Sequence, residues 1–416
     1  MPILKNHSMK IIVILFLLIS VLGCSNSGQK NKSVADMKTF EKGTYGYDIK
    51  FLKEHTKPVE LKNGNARVLI SPEYQGRVMT SSSEGENGLS YGWINHDLIG
   101  SGEVVKQINP VGGEERFWLG PEGGQYSIFF KAGDSFDFEN WETPASIDTE
   151  SFDLVASSET HAEFTKSIQI KNYSNFQFEF DVNRKISLLN ASEIKNELGI
   201  VFQESVNSVG YKTVNQLKNT GSDEWKKESG LLSIWLLGMF NPSPEVTIIV
   251  PYKTNAESDY IVKDDYFGKV SAERLVVKDG FAFFKGDGKQ RGKIGIPPQR
   301  ALPVLGSYDA ENMLLTIVKC EVPEGVDEYV NSAWEMQEFP YKGDAINSYN
   351  DGPLEDGSQL GPFYEMETSS PALALEKGEV AIYKQSTVHF QGTEEELNAI
   401  SQQVFNISLE EIKAVF

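Results

Sequence analysis

Two glutamates separated by a single residue, Glu365 and Glu367, are the side chains of this sequence best suited to acid–base chemistry. They lie in residues 361–371, GPFYEMETSSP, where alternating residue types predict a β-strand with both carboxylates on one face. Neighbouring carboxylates repel each other, so one of them can keep a proton near neutral pH and act as an acid or a base. The structural alternative is a solvated strand face, or a pair neutralised by an arginine.

A glycine-rich segment with an arginine and aromatic residues is the second candidate. Residues 109–125 read NPVGGEERFWLGPEGGQ, in which five glycines let the backbone approach a ligand closely. Arg116 offers a fork of donors, Glu122 adds a carboxylate, and Trp118 can stack on the C–H side of a sugar ring. Three carboxylates and the lack of a following Lys-Ser/Thr argue against a phosphate loop. The structural alternative is a tight loop whose aromatic residues fill the core.

Three further polar groups complete the candidate site. Trp141 lies among aromatic residues and carboxylates at 136–148, which fits either the wall of a sugar cleft or an ordinary loop. Asn347, Asn350 and Asp351 supply donors and acceptors that suit vicinal hydroxyls, or oxygen ligands for Ca²⁺. His389 lies near these polar clusters and is retained as a candidate ligand contact. The histidines show no HxH or HxxxH spacing, so the sequence predicts no zinc centre.

The first 40 residues predict export and lipid attachment. From Met9 the chain reads MKIIVILFLLISVLGC, with one lysine, an apolar run too short for the roughly 20 residues of a membrane span, and a glycine before Cys24. Residues 1–23 are therefore predicted to be a signal peptide whose end resembles a bacterial lipobox, with Cys24 lipidated. Residues 24–40 are polar and short of large apolar residues, so they are predicted to form a flexible tether, and outer-membrane attachment is expected. A plain secretory peptide or a single anchor helix is the alternative.

Composition narrows the classes of partner. A net charge of −20 disfavours binding to nucleic acid and to anionic lipid head groups. With Cys24 acylated, Cys320 is the one remaining thiol, so no intramolecular disulfide is expected. The sequence gives no indication of the oligomeric state.

Apolar residues recur with a period of two along most of the chain, which predicts an all-β fold of large antiparallel sheets. A hairpin is predicted at 167–182, and a strand buried on both faces at 231–240. Further strands are predicted at 65–70, 77–81, 127–131, 245–251, 273–277, 314–319, 361–368 and 379–385. Helices are predicted at 48–55 and, after capping boxes, at 397–405 and 412–416. The β domain is assigned to 41–392 and a helical extension to 393–416.

The motifs at 112–122, 362–371 and 375–379 together resemble the galactose mutarotase-like superfamily. They are most similar to uncharacterised lipoproteins of Bacteroidetes-type bacteria that share its fold, and the resemblance runs from about residue 61 to 390. It implies a β-supersandwich, two large twisted antiparallel sheets with a concave face that binds sugars.

The resemblance also implies roles for individual residues. In the epimerases of this superfamily a glutamate on a late strand removes the anomeric proton, a histidine protonates the ring oxygen, and an early arginine holds the sugar. Glu367 stands where the glutamate is expected and Arg116 can stand for the arginine, whereas the histidine motif has no counterpart. The expected ligand is a carbohydrate. An epimerase-like or lyase-like enzyme, a non-catalytic glycan-binding lipoprotein and an assembly lipoprotein all remain open.

Overall fold

Strands make up most of the chain in the computed structural model, which describes residues 39–354 and 356–416. The strands are β1 (Val59–Asn63), β2 (Ala66–Ser71), β3 (Arg77–Ser82), β4 (Arg116–Gly120), β5 (Asp153–Ser157), β6 (His161–Lys171), β7 (Gln177–Leu189), β8 (Asn207–Asn219), β9 (Ser233–Phe240), β10 (Val246–Pro251), β11 (Leu275–Lys278), β12 (Phe281–Lys285), β13 (Gly292–Ile296), β14 (Val304–Asp309), β15 (Leu314–Cys320), β16 (Ile346–Asn350), β17 (Tyr364–Ser369) and β18 (Val380–Gln391). The α-helices are α1 (Tyr45–His55), α2 (His96–Ser101), α3 (Ala191–Leu198), α4 (Glu394–Phe405) and α5 (Leu409–Lys413).

The strands form three antiparallel sheets. The smallest has the order β1-β2-β3, the second is a five-stranded sheet of order β13-β16-β17-β9-β4, and the largest has the ten-strand order β11-β12-β10-β14-β15-β18-β8-β7-β6-β5. The predicted hairpin is β6 and β7, which pair along their whole length around a turn in which Asn175 has a φ of 65°. The prediction of an all-β fold with large antiparallel sheets and short helices is confirmed.

The main core lies between the five-stranded and the ten-stranded sheets. Alternation decides which side chains enter it, because successive residues of a strand point to opposite faces. Ile234 and Leu236 of β9 and Met366 of β17 meet Ile248 and Val250 of β10 in one buried cluster. The strand predicted at 231–240 to be buried on both faces is β9, in which every residue is buried.

The outer face of the ten-stranded sheet is covered by short helices. Ile249 and Leu315 of the sheet pack with Leu397 and Ile400 of α4 and with Leu409 of α5. Both C-terminal helices begin with the predicted capping boxes. Phe40–Phe416 forms one compact unit that includes them.

The structure differs from the sequence prediction at residues 127–131. Residues 127–131 are not a strand, because Ser127 turns back to donate a hydrogen bond to the Glu122 carbonyl and Phe129 stacks on Trp141. The signal peptide, the lipidation site Cys24 and the tether up to residue 38 lie outside the described residues. In the part that is described, no helix is long and apolar enough to cross a bilayer.

Candidate active site

One face of the five-stranded sheet carries many charged and aromatic side chains. Residues directly opposite each other in neighbouring strands share a face. The register pairs Tyr349 with both Lys293 and Glu365, and Asn347 with Glu367. It continues from Glu367 through Leu237 to Arg116, and Trp235 lies opposite Trp118. The polar and aromatic members of this face are Arg116, Trp118, Trp235, Lys293, Asn347, Tyr349, Glu365 and Glu367.

A cavity of about 980 Å³ lies against this face. Trp235, Lys293, Asn347 and Tyr349 contribute to it from the sheet, and its other walls come from residues within 260–267, 330–335, 342–344 and 351–360. Its volume is typical of sites that enclose a small molecule. Its aromatic lining residues are Phe138, Trp235, Tyr260, Tyr266, Phe267, Trp334 and Tyr349. Such rings can stack on the C–H faces of a sugar.

An ion pair between Lys293 and Glu367 forms the floor of the cavity. Lys293 Nζ lies 2.8 Å from Glu367 Oε2, and Trp235 Nε1 donates to the same oxygen at 3.0 Å. Glu367 is fully buried, whereas the Lys293 side chain is 11% exposed and lines the cavity. Burial opposes the charge on Lys293, but Glu367 and Glu122 outweigh this effect and raise its pKa. Lys293 therefore presents a firmly held positive charge to a ligand.

Glu365 lies beside this pair and retains its proton at neutral pH. Burial, together with the negative charge of Glu367, raises the pKa of Glu365 to about 8, although Arg116 acts in the opposite direction. The nearest atom of Arg116, Nη2, is 3.7 Å from Glu365 Oε1. The Arg116 guanidinium lies 3.7 Å from the ring centroid of Trp118. Burial lowers the pKa of Arg116.

Glu122 is the carboxyl of this group that faces the cavity. It lines the cavity and is partly exposed, and its backbone N–H donates to Ser332 Oγ at 3.2 Å. Desolvation raises the pKa of Glu122 to about 7, with the charge of Lys293 opposing the rise and that of Glu367 adding to it. A carboxyl with this pKa can both donate and accept a proton at neutral pH.

A second wall is built from hydroxyl and carboxylate groups. Tyr260 and Tyr266 both donate to Asp344, the former at 2.8 Å, and Asn347 Nδ2 donates to the Tyr266 hydroxyl at 3.1 Å. Burial raises the pKa of Asp344. This network fixes the ring of Tyr266 and the amide of Asn347 at the cavity surface.

Six polar residues among the ten site residues predicted from the sequence lie at the cavity or on the sheet face beside it. Glu122, Asn347 and Asp351 line the cavity. Arg116, Glu365 and Glu367 are buried on the same sheet face, and Glu367 contacts the lining residues Lys293 and Trp235.

Trp118 and Trp141 were expected to stack on a sugar, but both are buried, with exposures of 3% and 4%. Trp118 Nε1 donates to the Ile147 carbonyl, and Trp141 stacks on Phe129 and on Trp334. Neither ring belongs to the cavity lining. Trp118 packs against Trp235 and Trp141 against Trp334, so both support rings that do line the cavity.

Asn350 and His389 also lie away from the cavity lining. The Asn350 side chain accepts from the Gly288 N–H at 2.9 Å and donates to the Gln290 carbonyl at 2.9 Å, so it holds a turn in place. His389 is fully buried between the sheets, where its ring nitrogens contact Glu114 at 3.0 Å and Thr316 at 2.9 Å. With no exposed surface, neither side chain can contact a ligand in this conformation.

Several cavity residues were not predicted from the sequence, namely Trp235, Tyr260, Lys263, Tyr266, Arg291, Lys293 and Asp344. Within residues 39–354 and 356–416, no group of three or more His, Cys, Asp or Glu side chains is placed to hold a metal ion. The expectation of Ca²⁺ binding stays a prediction.

Residues 43–416 match the model of DUF6786, a family of unknown function. The chain belongs to this family. No curated protein matches the sequence. As a DUF6786 member, it is similar in fold to a galactose mutarotase related enzyme from Lactobacillus acidophilus, with 9% identity, a TM-score of 0.44, and coverage of 82% of this chain and 99% of that chain.

Two other solved structures are similar to this DUF6786 chain at the same level. A galactose mutarotase-like protein from Lactobacillus casei has 10% identity and a TM-score of 0.41, covering 80% of this chain and 99% of that one. An Escherichia coli K12 protein provisionally assigned as an aldose 1-epimerase has 10% identity and a TM-score of 0.47, covering 80% and 98%. The superfamily that the sequence motifs resemble is thus represented among these structures, and at such identities the likeness concerns the fold alone.

Proposed function

We propose that the protein binds a carbohydrate in the cavity over the five-stranded sheet and transfers a proton on it through Glu122. The observation that carries this proposal is the position of Glu122, a carboxyl with a pKa of about 7 that faces an aromatic-lined cavity. Aromatic rings, amides and fixed hydroxyl groups are the surfaces that sugar rings and hydroxyls require.

In this proposal the charged residues at the cavity have separate tasks. Glu122 is the general acid or base, and Lys293 stabilises negative charge that develops on a sugar oxygen. Glu367, whose Oε2 already accepts from Lys293 and Trp235, holds the lysine in position. Direct proton removal by Glu367, expected from the sequence, stays a prediction. The same tasks would serve either ring opening at an anomeric carbon or elimination.

Replacing Glu122 with glutamine tests the proposal. Wild type is first screened for binding to mono- and oligosaccharides by thermal shift, and each hit is then assayed for anomer exchange and for unsaturated products. We expect Glu122→Gln to keep the affinity but lose about 10²- to 10⁴-fold in turnover, because general acid–base catalysis contributes about that much. The wild-type pH profile should contain an apparent pKa near 7 that the variant lacks.

Glu335→Gln is the matched control, since Glu335 lines the same cavity but is exposed at its edge. It should retain turnover. Binding without turnover by wild type would favour a non-catalytic glycan-binding protein. No binding to any sugar would refute the proposal and favour an assembly role.

We also propose that the chain is an exported lipoprotein anchored through Cys24, with the folded unit held at the outer membrane. The lipobox-like end of the leader supports this assignment. Wild type expressed in a bacterial host should incorporate labelled palmitate and co-fractionate with outer membranes. Cys24→Ser should abolish both, and membrane association that survives this change would contradict the anchor.

A further inference from the structure

Two cations of the cavity, Arg291 and Lys263, form no ion pair with a carboxylate among residues 39–354 and 356–416. Lys293 is paired with Glu367, and Lys342 lies 3.2 Å from Asp259. Among the described residues, by contrast, no carboxylate oxygen lies within 4 Å of the charged nitrogens of Arg291 or Lys263, although both residues line the cavity. In a chain with a net charge of −20, such unpaired cations call for an explanation.

Arg291 is held in a fixed orientation. Its guanidinium lies 3.9 Å from the ring centroid of Phe267, and its Nε is buried with no hydrogen-bond partner in the described chain. Stacking on an aromatic ring fixes the guanidinium plane and leaves its edge free to bind a carboxylate or phosphate through two hydrogen bonds.

Lys263 approaches the same edge of the sheet from a different segment. Its backbone exchanges hydrogen bonds of 2.8 and 2.9 Å with Gly295 of β13, and its Nζ lies 4.7 Å from the ring centroid of Tyr266. Arg291 immediately precedes β13. Both free cations are therefore placed along this edge strand, on either side of Lys293.

The buried carboxylates of the cavity are already occupied. Asp344 accepts from Tyr260 and Tyr266, and Asp351 accepts from Tyr349 and from the Gly361 N–H. Burial raises the pKa of both aspartates, and the charges of Lys263 near Asp344 and of Arg291 near Asp351 act against this rise. In the described part of the chain neither aspartate forms an ion pair with Arg291 or Lys263, so both cations stay available to an anionic group of a ligand.

We infer that the sugar bound in this cavity carries an anionic group that Arg291 binds through its guanidinium edge, with Lys263 supplying a second positive charge. The group is a uronic-acid carboxylate, a sulfate or a phosphate ester. This inference rests on the proposed carbohydrate function and names its substrate class.

The test compares charged and neutral forms of the same sugars by titration calorimetry. Glucuronate and galacturonate are measured against glucose and galactose, together with glucose 6-sulfate, glucose 6-phosphate and an oligogalacturonate. We expect acidic ligands to bind about ten- to a hundredfold more tightly than neutral ones, the range of one charge-assisted hydrogen-bonded contact. The preferred acidic ligand identifies the anionic group.

Arg291→Gln should reduce the preference to less than about threefold, because acidic ligands lose more affinity than neutral sugars when the guanidinium is removed. Lys342→Gln is the matched control, because Lys342 lines the cavity but is already paired with Asp259. It should keep the preference. Arg291→Lys retains the charge, and it serves as the second variant if the glutamine variant loses its native melting temperature.

The possible outcomes separate this inference from the proposed function. Equal binding of neutral and acidic sugars overturns the anionic substrate and leaves carbohydrate binding intact. A preference that survives in Arg291→Gln overturns the role of Arg291. Failure to bind any neutral or acidic sugar refutes the proposed function, and the inference falls with it.

Discussion

Replacing Glu365 with glutamine should stabilise the protein, and the gain should increase with pH. Burial and the charge of Glu367 raise the pKa of Glu365 to about 8 in the folded protein. A glutamate in an unfolded chain has a pKa of about 4.3. Between these two values folding takes up a proton, so the free energy of unfolding falls as the pH rises. Glutamine removes that proton uptake.

The size of the effect follows from the two pKa values. One pKa unit corresponds to about 1.4 kcal/mol, and pH 7 lies about 2.7 units above the pKa of an unfolded glutamate. We therefore expect Glu365→Gln to raise the free energy of unfolding by about 4 kcal/mol at pH 7. The gain should approach zero near pH 4, where the carboxyl is protonated in both states.

Urea titrations of wild type and variant at pH values from 4 to 8 measure this difference. Glu367→Gln is the matched control, because it lies two residues away on the same strand and face but is paired with Lys293. It should destabilise the protein by about 3 kcal/mol, since a buried lysine loses its partner. A Glu365→Gln variant that is less stable than wild type by the same amount at every pH would refute the reasoning.

Three further predictions concern the site and the core. Gly295→Ala should weaken ligand binding at least tenfold by calorimetry, because a Cβ would lie 2.3 Å from Asp344 Oδ2 and 2.7 Å from the Tyr266 hydroxyl. Gly100→Ala is its control, since a Cβ there meets nothing nearer than 3.8 Å, and equal effects of the two variants would contradict the clash. Arg184→Met should lower the free energy of unfolding by about 3–5 kcal/mol in urea, because it leaves the fully buried Glu115 without the guanidinium 2.8 Å away; a loss below about 1 kcal/mol would show that Glu115 finds other partners. Trp235→Phe should cost about 1–2 kcal/mol by removing the hydrogen bond to Glu367, and unchanged thermal unfolding would exclude a contribution from that bond.

Local sequence patterns predicted the strands well because a half-buried strand alternates apolar and polar residues, which shows which of its faces is buried. Glu365 and Glu367 do share a face of β17, as alternation required, and β9 is buried along its whole length. The same patterns wrongly predicted a strand at 127–131. Phe129 and Phe130 are buried by packing against other loops, which leaves no local signature that differs from a strand.

The composition of the site was harder to predict because it depends on which strands become neighbours. Lys293 stands in a short apolar strand, GKIGI, and only pairing of β13 with β16, and of β16 with β17, brings it beside Glu367. Trp118 and Trp141 looked available because their segment is rich in glycine and polar residues. Their burial depends on contacts with Trp235 and Trp334, which lie about 100 residues or more further along the chain.

Three carboxyls around Lys293 differ in what they can do with a proton. Glu367 is fully buried, and its Oε2 is bound to Lys293 and Trp235. Glu365 has a pKa of about 8 but lies beneath the cavity lining, so its proton has no route to a ligand without movement of the sheet face. Of the three, Glu122 alone combines contact with the cavity and a pKa of about 7. Environments that separate the pKa values of neighbouring acids commonly assign their catalytic roles. By that rule we propose Glu122 as the proton-transferring residue of this site, with the charge of Glu367 on β17 adding to the rise of its pKa.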